Sequence, residues 1–129
     1  MEYHKHLSEP WFSLIQLGLK SCEGRLKKGD FANMKKNDRI HFENHDFSFP
    51  RTFTVLITSI HEYSSFEEYL QHETLEKTLP GIDTLENGIN VYRKYYTIED
   101  ENKYGIIAIR MRIIKNVTNS SNFSKNKKK

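Results

Sequence analysis

The 129-residue chain has a single cysteine, Cys22, and no long run of apolar residues. One cysteine excludes an internal disulfide and favours a reducing compartment. No segment approaches the roughly 18 consecutive apolar residues of a membrane-spanning helix, and residues 1–6 lack the apolar core of a secretory signal. We therefore expect a cytoplasmic protein, with the nucleus as the alternative, and no membrane partner.

The chain has a formal net charge of +3, but residues 1–115 carry no excess of basic side chains. The 14 residues 116–129 hold four of the 20 Lys and Arg residues and none of the 17 Asp and Glu residues. Residues 1–115 therefore carry 16 basic and 17 acidic side chains, a net charge of −1. Net charge alone thus gives no support for a nucleic-acid-binding face. We predict one domain over residues 1–115 and a disordered basic tail over residues 116–129.

Aromatic residues make up 12% of the chain, with seven Tyr and eight Phe, against an apolar content of only 36%. This combination predicts a compact domain with a few large anchors, because each buried ring removes a large area from water. The order of the predicted elements has no regular alternation of strand and helix. An α+β fold with a mostly antiparallel, barrel-like sheet is therefore favoured.

Capping residues and hydrophobic periodicity place the individual elements. Ser8 is the predicted hydroxyl cap of a first helix that ends at Gly18, the expected left-handed residue. Ser65 and Glu68 form a capping-box pattern for a second helix, which residues 80–81 break. The remaining predictions are a helix over 84–96 and strands over 21–26, 39–43, 52–62 and 104–114. In the last strand, one face holds Ile107, Ile109, Met111 and Ile113, and the other holds Arg110 and Arg112.

A polar cluster follows the first helix and consists of Lys20, Ser21, Glu23 and Arg25. Strand alternation places Ser21, Glu23 and Arg25 on one face, and Lys20 at the helix–strand junction can reach toward them. Arg25 is suited to bind a phosphate or a carbonyl oxygen with its planar fork. Glu23 is suited to pair with the exocyclic amine of a base. The cluster is therefore the candidate ligand site, with no metal and no cofactor implied.

Two alternatives stay open for this cluster. In a hydrolytic reaction Glu23 would act as general base on water while Lys20 and Arg25 stabilise the oxyanion. As a purely structural feature, Glu23 and Arg25 would form a surface ion pair that contributes little. Cys22 alternates with Glu23 and is predicted to face the core as a small apolar residue.

Aromatic side chains supply further candidates. Tyr95 and Tyr96 are candidates for stacking on a base at the mouth of a cleft, with packing against the domain as the open alternative. Tyr92 is predicted to pack against its neighbours. Trp11 and Phe12 are adjacent on a helix and therefore diverge. We expect one of them in the core and the other at the cleft.

Histidines and the last strand give weaker signals. His4 and His6 are predicted to lie in a disordered lead-in. His41 and His45 fall on a strand and its loop, so a metal site is not predicted there. Arg110 and Arg112 are suited either to contact phosphate or to keep an exposed sheet face soluble.

Six short blocks of the sequence resemble the ASCH domain family. They are Gly18-x-Lys20-x-x-Glu23-x-Arg25, Lys36-Asn-Asp-Arg-Ile-His-Phe42, Tyr63-x-x-Phe66, Leu79-Pro-Gly81, Tyr92-x-x-Tyr95-Tyr96 and Tyr104-Gly-Ile-Ile-Ala-Ile109. Together they cover roughly residues 5–115. In the second block Asn37 stands where the family usually has glycine, and asparagine tolerates the left-handed conformation better than most residues.

The resemblance implies a small β-barrel related to the PUA domain, and work on RNA. Family members are associated with RNA binding, with coactivator proteins and with RNA cleavage. One bacterial branch hydrolyses the acetyl amide of N4-acetylcytidine with a lysine, a threonine and a glutamate. Lys20 matches the lysine, but Glu23 stands where the threonine nucleophile is expected. The matching glutamate is expected at Glu67 or Glu68.

The leading interpretation is an ASCH-type domain that binds RNA or a modified nucleoside. Its ligand-binding residues are predicted to be Lys20, Ser21, Glu23, Arg25, Tyr95 and Tyr96. The alternative is a hydrolase of N4-acetylcytidine or RNA in the same cleft, with Lys20 and Glu23 as its catalytic residues. A protein-interaction module is the third interpretation.

Overall fold

The structure is a computed structural model that describes residues 1–119. Within this range the fold is mixed α+β, as predicted, and a five-stranded sheet curls into a half-barrel beside several helices. None of the helices in residues 1–119 is long and apolar enough to cross a membrane. The elements are β1 (Glu2–His6), α1 (Trp11–Gln16), β2 (Cys22–Leu26), a 3₁₀ turn (Gly29–Asn33), β3 (Arg39–Asn44), β4 (Arg51–Tyr63), α2 (Phe66–Glu73), α3 (Leu75–Thr78), α4 (Leu85–Arg93), α5 (Ile98–Tyr104) and β5 (Ile106–Asn119).

The sheet has the strand order β1-β3-β4-β5-β2. β1 runs parallel to β3, and the other three pairings are antiparallel. The long β4–β5 pairing shifts register between Thr52 and Val55 and again between Ile57 and Ser59. Such irregularities bend and twist the strands, which curls the sheet. β1 and β2 form its two edges, and both edges contribute to the wall of one cavity.

Strand β5 lies inside the sheet and is buried on both faces over residues 106–109. Ile107 and Ile109 belong to a core shared with α1, β3 and β4, whereas Ile106 and Ala108 belong to a second core shared with α2 and α4. The predicted alternation is correct for the first face. The opposite face carries a second core before it becomes exposed at Arg110.

Residues 2–6 form strand β1, so the prediction of a disordered lead-in at His4 and His6 is wrong. Tyr3 is the buried residue of this strand, and a single apolar position does not produce the alternation that marks a strand. The strand forms because it pairs with β3, where His4 stacks on His41 with ring centroids 4.7 Å apart. Pairing between segments this far apart leaves no local signal in the sequence.

The C-terminal half differs from the prediction at the helix α5. The strand predicted over 104–114 begins at Ile106, because α5 occupies the residues before it. Thr97 caps α5 by accepting a hydrogen bond from the backbone N of Asp100 at 3.1 Å, and Asp100 returns the bond. β5 continues through Asn119 and so enters the predicted tail over 116–129. The rest of that tail, residues 120–129, lies outside the described residues.

Helix α1 begins at Trp11 with Pro10, not Ser8, at its N-cap. Glu9 supplies the missing acceptor, because its carboxylate receives hydrogen bonds from the N and Oγ of Ser13 at 2.9 and 2.6 Å. A carboxylate at a helix start is also favoured by the helix dipole. The side chain that caps the helix is therefore that of Glu9, whereas the sequence predicted Ser8.

Three predicted turn and cap positions are confirmed. Gly18 has a φ of +80° and turns the chain from α1 toward β2, and Asn37 has a φ of +77°. Ser65 caps α2 by accepting a hydrogen bond from the N of Glu68 at 3.0 Å. The helix that Ser65 begins was predicted to end at residues 80–81, but it ends at Glu73, where Thr74 takes a φ of +75°. Residues 80–81 separate α3 from α4 instead.

Candidate functional site

A cavity of about 300 Å³ opens between the two sheet edges and the end of α4. It brings together the predicted residues Lys20, Glu23, Arg25, Tyr95 and Tyr96. The other residues of its lining are His6, Leu7, Ser8, Trp11, Gly24, Leu79, Val91 and Tyr92. Side chains from β1, α1, β2 and α4 thus meet at one place, although they are far apart in the sequence.

Lys20 is buried although it carries a charge, with 2% of its surface exposed. Its Nζ donates hydrogen bonds to the backbone O of Cys22 at 2.8 Å and to that of Thr78 at 2.5 Å. It also forms an ion pair with Oε1 of Glu23 at 3.1 Å. These contacts use the three donors of an ammonium group. Lys20 is therefore a fixed positive charge beside Glu23.

Glu23 lies between two cations and is itself buried. Its Oε1 pairs with Lys20, and its Oε2 accepts a hydrogen bond from the Nε of Arg25 at 2.7 Å. Burial alone would raise the pKa of this carboxyl, but the charges of Lys20 and Arg25 outweigh burial and hold the pKa below its ordinary value of 4.5. Glu23 is therefore ionised near neutral pH, and an ionised carboxylate only accepts hydrogen bonds.

Arg25 stands two residues after Glu23 on the same face of β2, as predicted. Its guanidinium carbon lies 4.9 Å from the ring centroid of Phe31, which belongs to the 3₁₀ turn. Within residues 1–119, its hydrogen bonding to the protein is through Nε alone. Its two Nη groups therefore stay available to oxygen atoms of a ligand in the cavity.

Trp11 and Phe12 point to different sides of α1, as predicted. Phe12 is fully buried in the core, whereas Trp11 is half-buried and lines the cavity. The Nζ of Lys20 lies 5.6 Å from the ring centroid of Trp11. The indole ring thus covers one side of the buried charge and presents an aromatic surface to the cavity.

Three tyrosines in the last turn of α4 and directly after it form another part of the cavity wall. Tyr92 is buried and stacks on Phe66 with centroids 4.3 Å apart, which confirms its predicted packing role. Tyr96 stacks on the same ring at 5.5 Å. Tyr95 is 65% exposed, and its ring centroid lies 6.3 Å from that of Tyr96. The two residues that sequence left open therefore differ, because Tyr96 is anchored and Tyr95 is not.

Gly24 is a site residue that the sequence analysis missed. A Cβ atom at this position would lie 2.5 Å from Cζ of the buried Tyr69, so the ring occupies space that any side chain would fill. The Tyr69 hydroxyl lies 3.5 Å from that of Tyr92. Gly24 thus lets α2 approach β2 and holds Tyr92 in place. An isolated glycine inside a strand pattern is the signal that marks such close approach.

Ser21 does not join this cavity. β2 begins at Cys22, and the backbone of Ser21 is hydrogen-bonded to α3 and β5. Ser21 instead lines a separate cavity of about 300 Å³. The structure therefore separates Ser21 from Glu23 and Arg25, against the prediction of a common face. The reason is that strand alternation does not extend back past the first strand residue.

The separate cavity contains an ion pair that the sequence did not reveal. Glu73 is 3% exposed and accepts two hydrogen bonds from Arg110, at 2.8 and 3.0 Å, and a third from the Tyr63 hydroxyl. Arg110 therefore neutralises Glu73, which is neither of its two predicted roles. Burial and the nearby Glu73 charge raise the pKa of the Cys22 thiol to about 12, which makes this buried cysteine unreactive.

Comparison with known proteins identifies the family. The profile of the ASCH domain matches residues 6–115. The chain belongs to the ASCH domain family. It is similar to the crystal structure of "hypothetical protein PH0355", with 38% identity and a TM-score of 0.80 over 88% of this chain and 100% of that chain. The solution NMR structure of protein PF0455 from Pyrococcus furiosus is also 38% identical, with a TM-score of 0.72 over 88% of this chain and 98% of that one. A comparison with curated proteins gives no match.

The glutamates considered as catalytic partners lie outside the cavity of this ASCH domain. Glu67 and Glu68 belong to the first turn of α2, and neither lines the cavity beside Lys20. Glu68 serves the helix instead, because its Oε1 accepts a hydrogen bond from the N of Ser64 at 2.9 Å. The carboxylate next to Lys20 is Glu23.

The histidines of this ASCH domain make separate pairs. His41 lies 2.8 Å from the Oγ1 of Thr54 and 2.6 Å from a carboxylate oxygen of Glu2, while His45 contacts Glu43 at 2.8 Å. Within residues 1–119, no group of three or more His, Cys, Asp or Glu side chains is arranged to hold a metal ion.

Proposed function

We propose that this ASCH domain binds RNA or a modified nucleoside by taking a single base into the cavity beside Glu23. The observation that carries the proposal is the buried, ionised carboxylate of Glu23, held between Lys20 and Arg25 in a cavity with aromatic walls. A nucleobase has a polar edge for such a carboxylate and a flat face for the rings.

The size of the cavity supports a single base or nucleoside. Its volume of about 300 Å³ lies at the lower end of the roughly 300–1,000 Å³ usual for ligand pockets. A base from single-stranded RNA fits this description if it is turned away from its neighbours, which is how sequence-specific proteins commonly read RNA. The Nη groups of Arg25 then supply donors for a carbonyl or phosphate oxygen.

The aromatic rings supply the second part of the interaction. Trp11 and Tyr95 both line the cavity, and the first is half-buried whereas the second is exposed. Stacking of a base on an aromatic side chain contributes about 1–3 kcal/mol to binding. Tyr96 adds a ring that is already fixed by Phe66, so little entropy is lost when it contacts a ligand.

Three observations favour binding over hydrolysis of N4-acetylcytidine or RNA. Lys20 already uses its donors within the protein. Glu23 replaces the threonine expected in the hydrolytic branch, and Glu67 and Glu68 do not line the cavity. Hydrolysis is therefore an outcome of the test below. A protein-interaction module is the interpretation that is left if neither ligand class binds.

The test is isothermal titration calorimetry with unmodified nucleosides, N4-acetylcytidine and a short single-stranded RNA, with product analysis of each mixture. We expect saturable binding without product by the wild type, and at least about tenfold weaker binding of the ligand that the wild type prefers in Glu23→Gln. Glu62→Gln is the matched control, because Glu62 has a 61% exposed side chain and pairs with Lys27 away from the cavity. Absence of binding to every ligand would refute the proposal, and deacetylation that is lost in Glu23→Gln would replace it with the hydrolase.

We also propose that the half-barrel is the PUA-like fold that the resemblance implies. The long, bent β4–β5 pairing and the parallel β1–β3 pairing support this relationship. Superposition on PUA domains tests it, with the same strand order and directions as the expected result. A different order of the strands would contradict the proposal.

A further inference from the structure

We infer that the cavity selects a base whose edge presents two adjacent N–H donors followed by an acceptor, which among the four RNA bases is guanine. The inference rests on the proposed function, because it names the base that enters the same cavity. It follows from the hydrogen-bonding groups that Glu23 and Arg25 leave unused.

Each oxygen atom of Glu23 keeps a lone-pair site that no donor of the protein uses. A carboxylate has about four lone-pair sites, two on each oxygen. Lys20 pairs with Oε1 at 3.1 Å, and the Nε of Arg25 donates to Oε2 at 2.7 Å. One site on each oxygen is left, so the carboxylate offers two acceptors side by side. The N1–H and N2–H groups of guanine are two donors with the matching spacing.

Arg25 extends this row of two acceptors with a donor. Its guanidinium lies on the Oε2 side of the carboxylate, and within residues 1–119 its Nη groups have no protein acceptor. The row along the cavity wall is therefore Oε1, Oε2 and Nη, or acceptor, acceptor, donor. The Watson–Crick edge of guanine reads N2–H, N1–H and O6, or donor, donor, acceptor. The two rows are complementary over all three positions.

The other bases leave part of this row unpaired. Cytosine and adenine present one amino donor beside a ring nitrogen acceptor, which sets a lone pair against the second oxygen of Glu23. Uracil presents one N–H between two carbonyl groups, and a carbonyl then faces the carboxylate. Binding of such a base would leave a buried charge unpaired, which weakens the binding free energy. A site that forms hydrogen bonds to one base edge therefore discriminates strongly against bases that lack those groups.

The guanidinium group of an arginine side chain has the same pair of donors as guanine, but it carries a positive charge. The charge of the site therefore decides between these two ligands. Lys20 and Arg25 together outweigh the single negative charge of Glu23, so the three residues carry a net charge of +1. A cationic ligand would therefore be repelled by the site, whereas neutral guanine is not.

The experiment compares wild-type affinities for guanosine, inosine, 1-methylguanosine, adenosine, cytidine, N4-acetylcytidine and uridine by calorimetry. Inosine lacks only the 2-amino group, and we expect it to bind about 10- to 100-fold more weakly, as for one lost hydrogen bond to a charged group. 1-Methylguanosine lacks the N1–H donor and carries a methyl group toward Glu23, and we expect no measurable binding. Guanosine should bind most tightly of the seven.

The outcomes separate the inference from the proposed function. If another nucleoside binds as tightly as guanosine, or if inosine equals it, the guanine inference is overturned and base binding in the cavity stands. If no nucleoside and no single-stranded RNA bind, both are overturned. These comparisons use the wild-type protein, so they do not depend on whether a variant folds.

A variant of Glu23 gives a second, independent test. In Glu23→Gln one acceptor becomes an N–H₂ donor, and the side-chain amide then matches the donor and acceptor of adenine. We expect the ratio of guanosine to adenosine affinity to fall by at least about tenfold, while Glu62→Gln keeps the wild-type ratio. An unchanged ratio in folded Glu23→Gln would overturn the inference.

Discussion

The Nε of Arg25 donates a hydrogen bond of 2.7 Å to the Oε2 of Glu23, two residues before it on one face of β2. Lys20 holds the other oxygen at 3.1 Å. The segment 20–25 therefore builds a carboxylate that is buried, ionised and fixed in orientation. All three properties are needed if Glu23 is to read the edge of a base.

Replacing Glu23 by Gln should destabilise the fold. The substitution removes the negative charge that pairs with Lys20, which is 2% exposed and cannot regain water. Breaking a buried ion pair by removing one partner costs on the order of 3 kcal/mol in the free energy of unfolding. Urea denaturation measures this change. Glu62→Gln should change the same quantity by less than about 0.5 kcal/mol, and equal midpoints for the two variants would contradict the account.

The stabilisation from Glu23 should disappear in acid. The pKa of this carboxyl is lower in the folded protein than its ordinary value of 4.5, so its contribution is fully present above about pH 4.5 and is lost as the pH falls through the folded value. The difference in unfolding free energy between the wild type and Glu23→Gln should therefore shrink below pH 4.5. Denaturation series at several pH values test this, and a constant or growing difference would count against an ionised Glu23.

Gly24→Ala should destabilise the protein by about 1–3 kcal/mol, the usual cost of overpacking a core. The new methyl group would meet the ring of Tyr69 at 2.5 Å, and a buried ring cannot rotate away cheaply. Gly88→Ala is the matched control, because its nearest neighbour at 2.9 Å is the flexible end of Leu75 and alanine favours helix α4 by up to about 1 kcal/mol. Thermal unfolding compares them, and equal losses would show that Tyr69 yields to the methyl group.

Tyr95→Ala should weaken ligand binding without changing stability. The ring is 65% exposed, so little packing is lost, whereas stacking on a base is worth about 1–3 kcal/mol, or about 5- to 150-fold in affinity. Tyr92→Ala should instead lower the free energy of unfolding, because Tyr92 is buried against Phe66. Calorimetry and urea denaturation together test this division. Unchanged affinity in Tyr95→Ala would exclude this ring from the site.

Local patterns predicted much of the fold and part of the site. The alternation of Glu23 and Arg25 and the left-handed turn at Gly18 are set by neighbouring residues, and the structure shows both. Strand β1 and the Glu73–Arg110 pair were missed because they depend on contacts between distant segments. One buried position in residues 2–6 is too weak a pattern to predict a strand that is stabilised by pairing with β3.

Ser21 shows that side-chain alternation along a strand does not apply outside the strand. Alternation describes residues inside a strand, and β2 begins one residue after Ser21. Helix α5 is a different case, because Thr97 and Asp100 form a capping box that the sequence already contained. The helix was missed because nearly all of it lies between the helix predicted over 84–96 and the strand predicted over 104–114.

The most direct test of the account is the fluorescence of Trp11, the one tryptophan of the chain, during titration with guanosine. Its ring lines the cavity and lies 5.6 Å from the Nζ of Lys20, so a base that enters must change its surroundings. We predict a saturable change in the wild type and in Glu62→Gln, and none in folded Glu23→Gln. No change in the wild type, or the same titration curve in Glu23→Gln, would contradict the claim that Glu23 binds a base in this cavity.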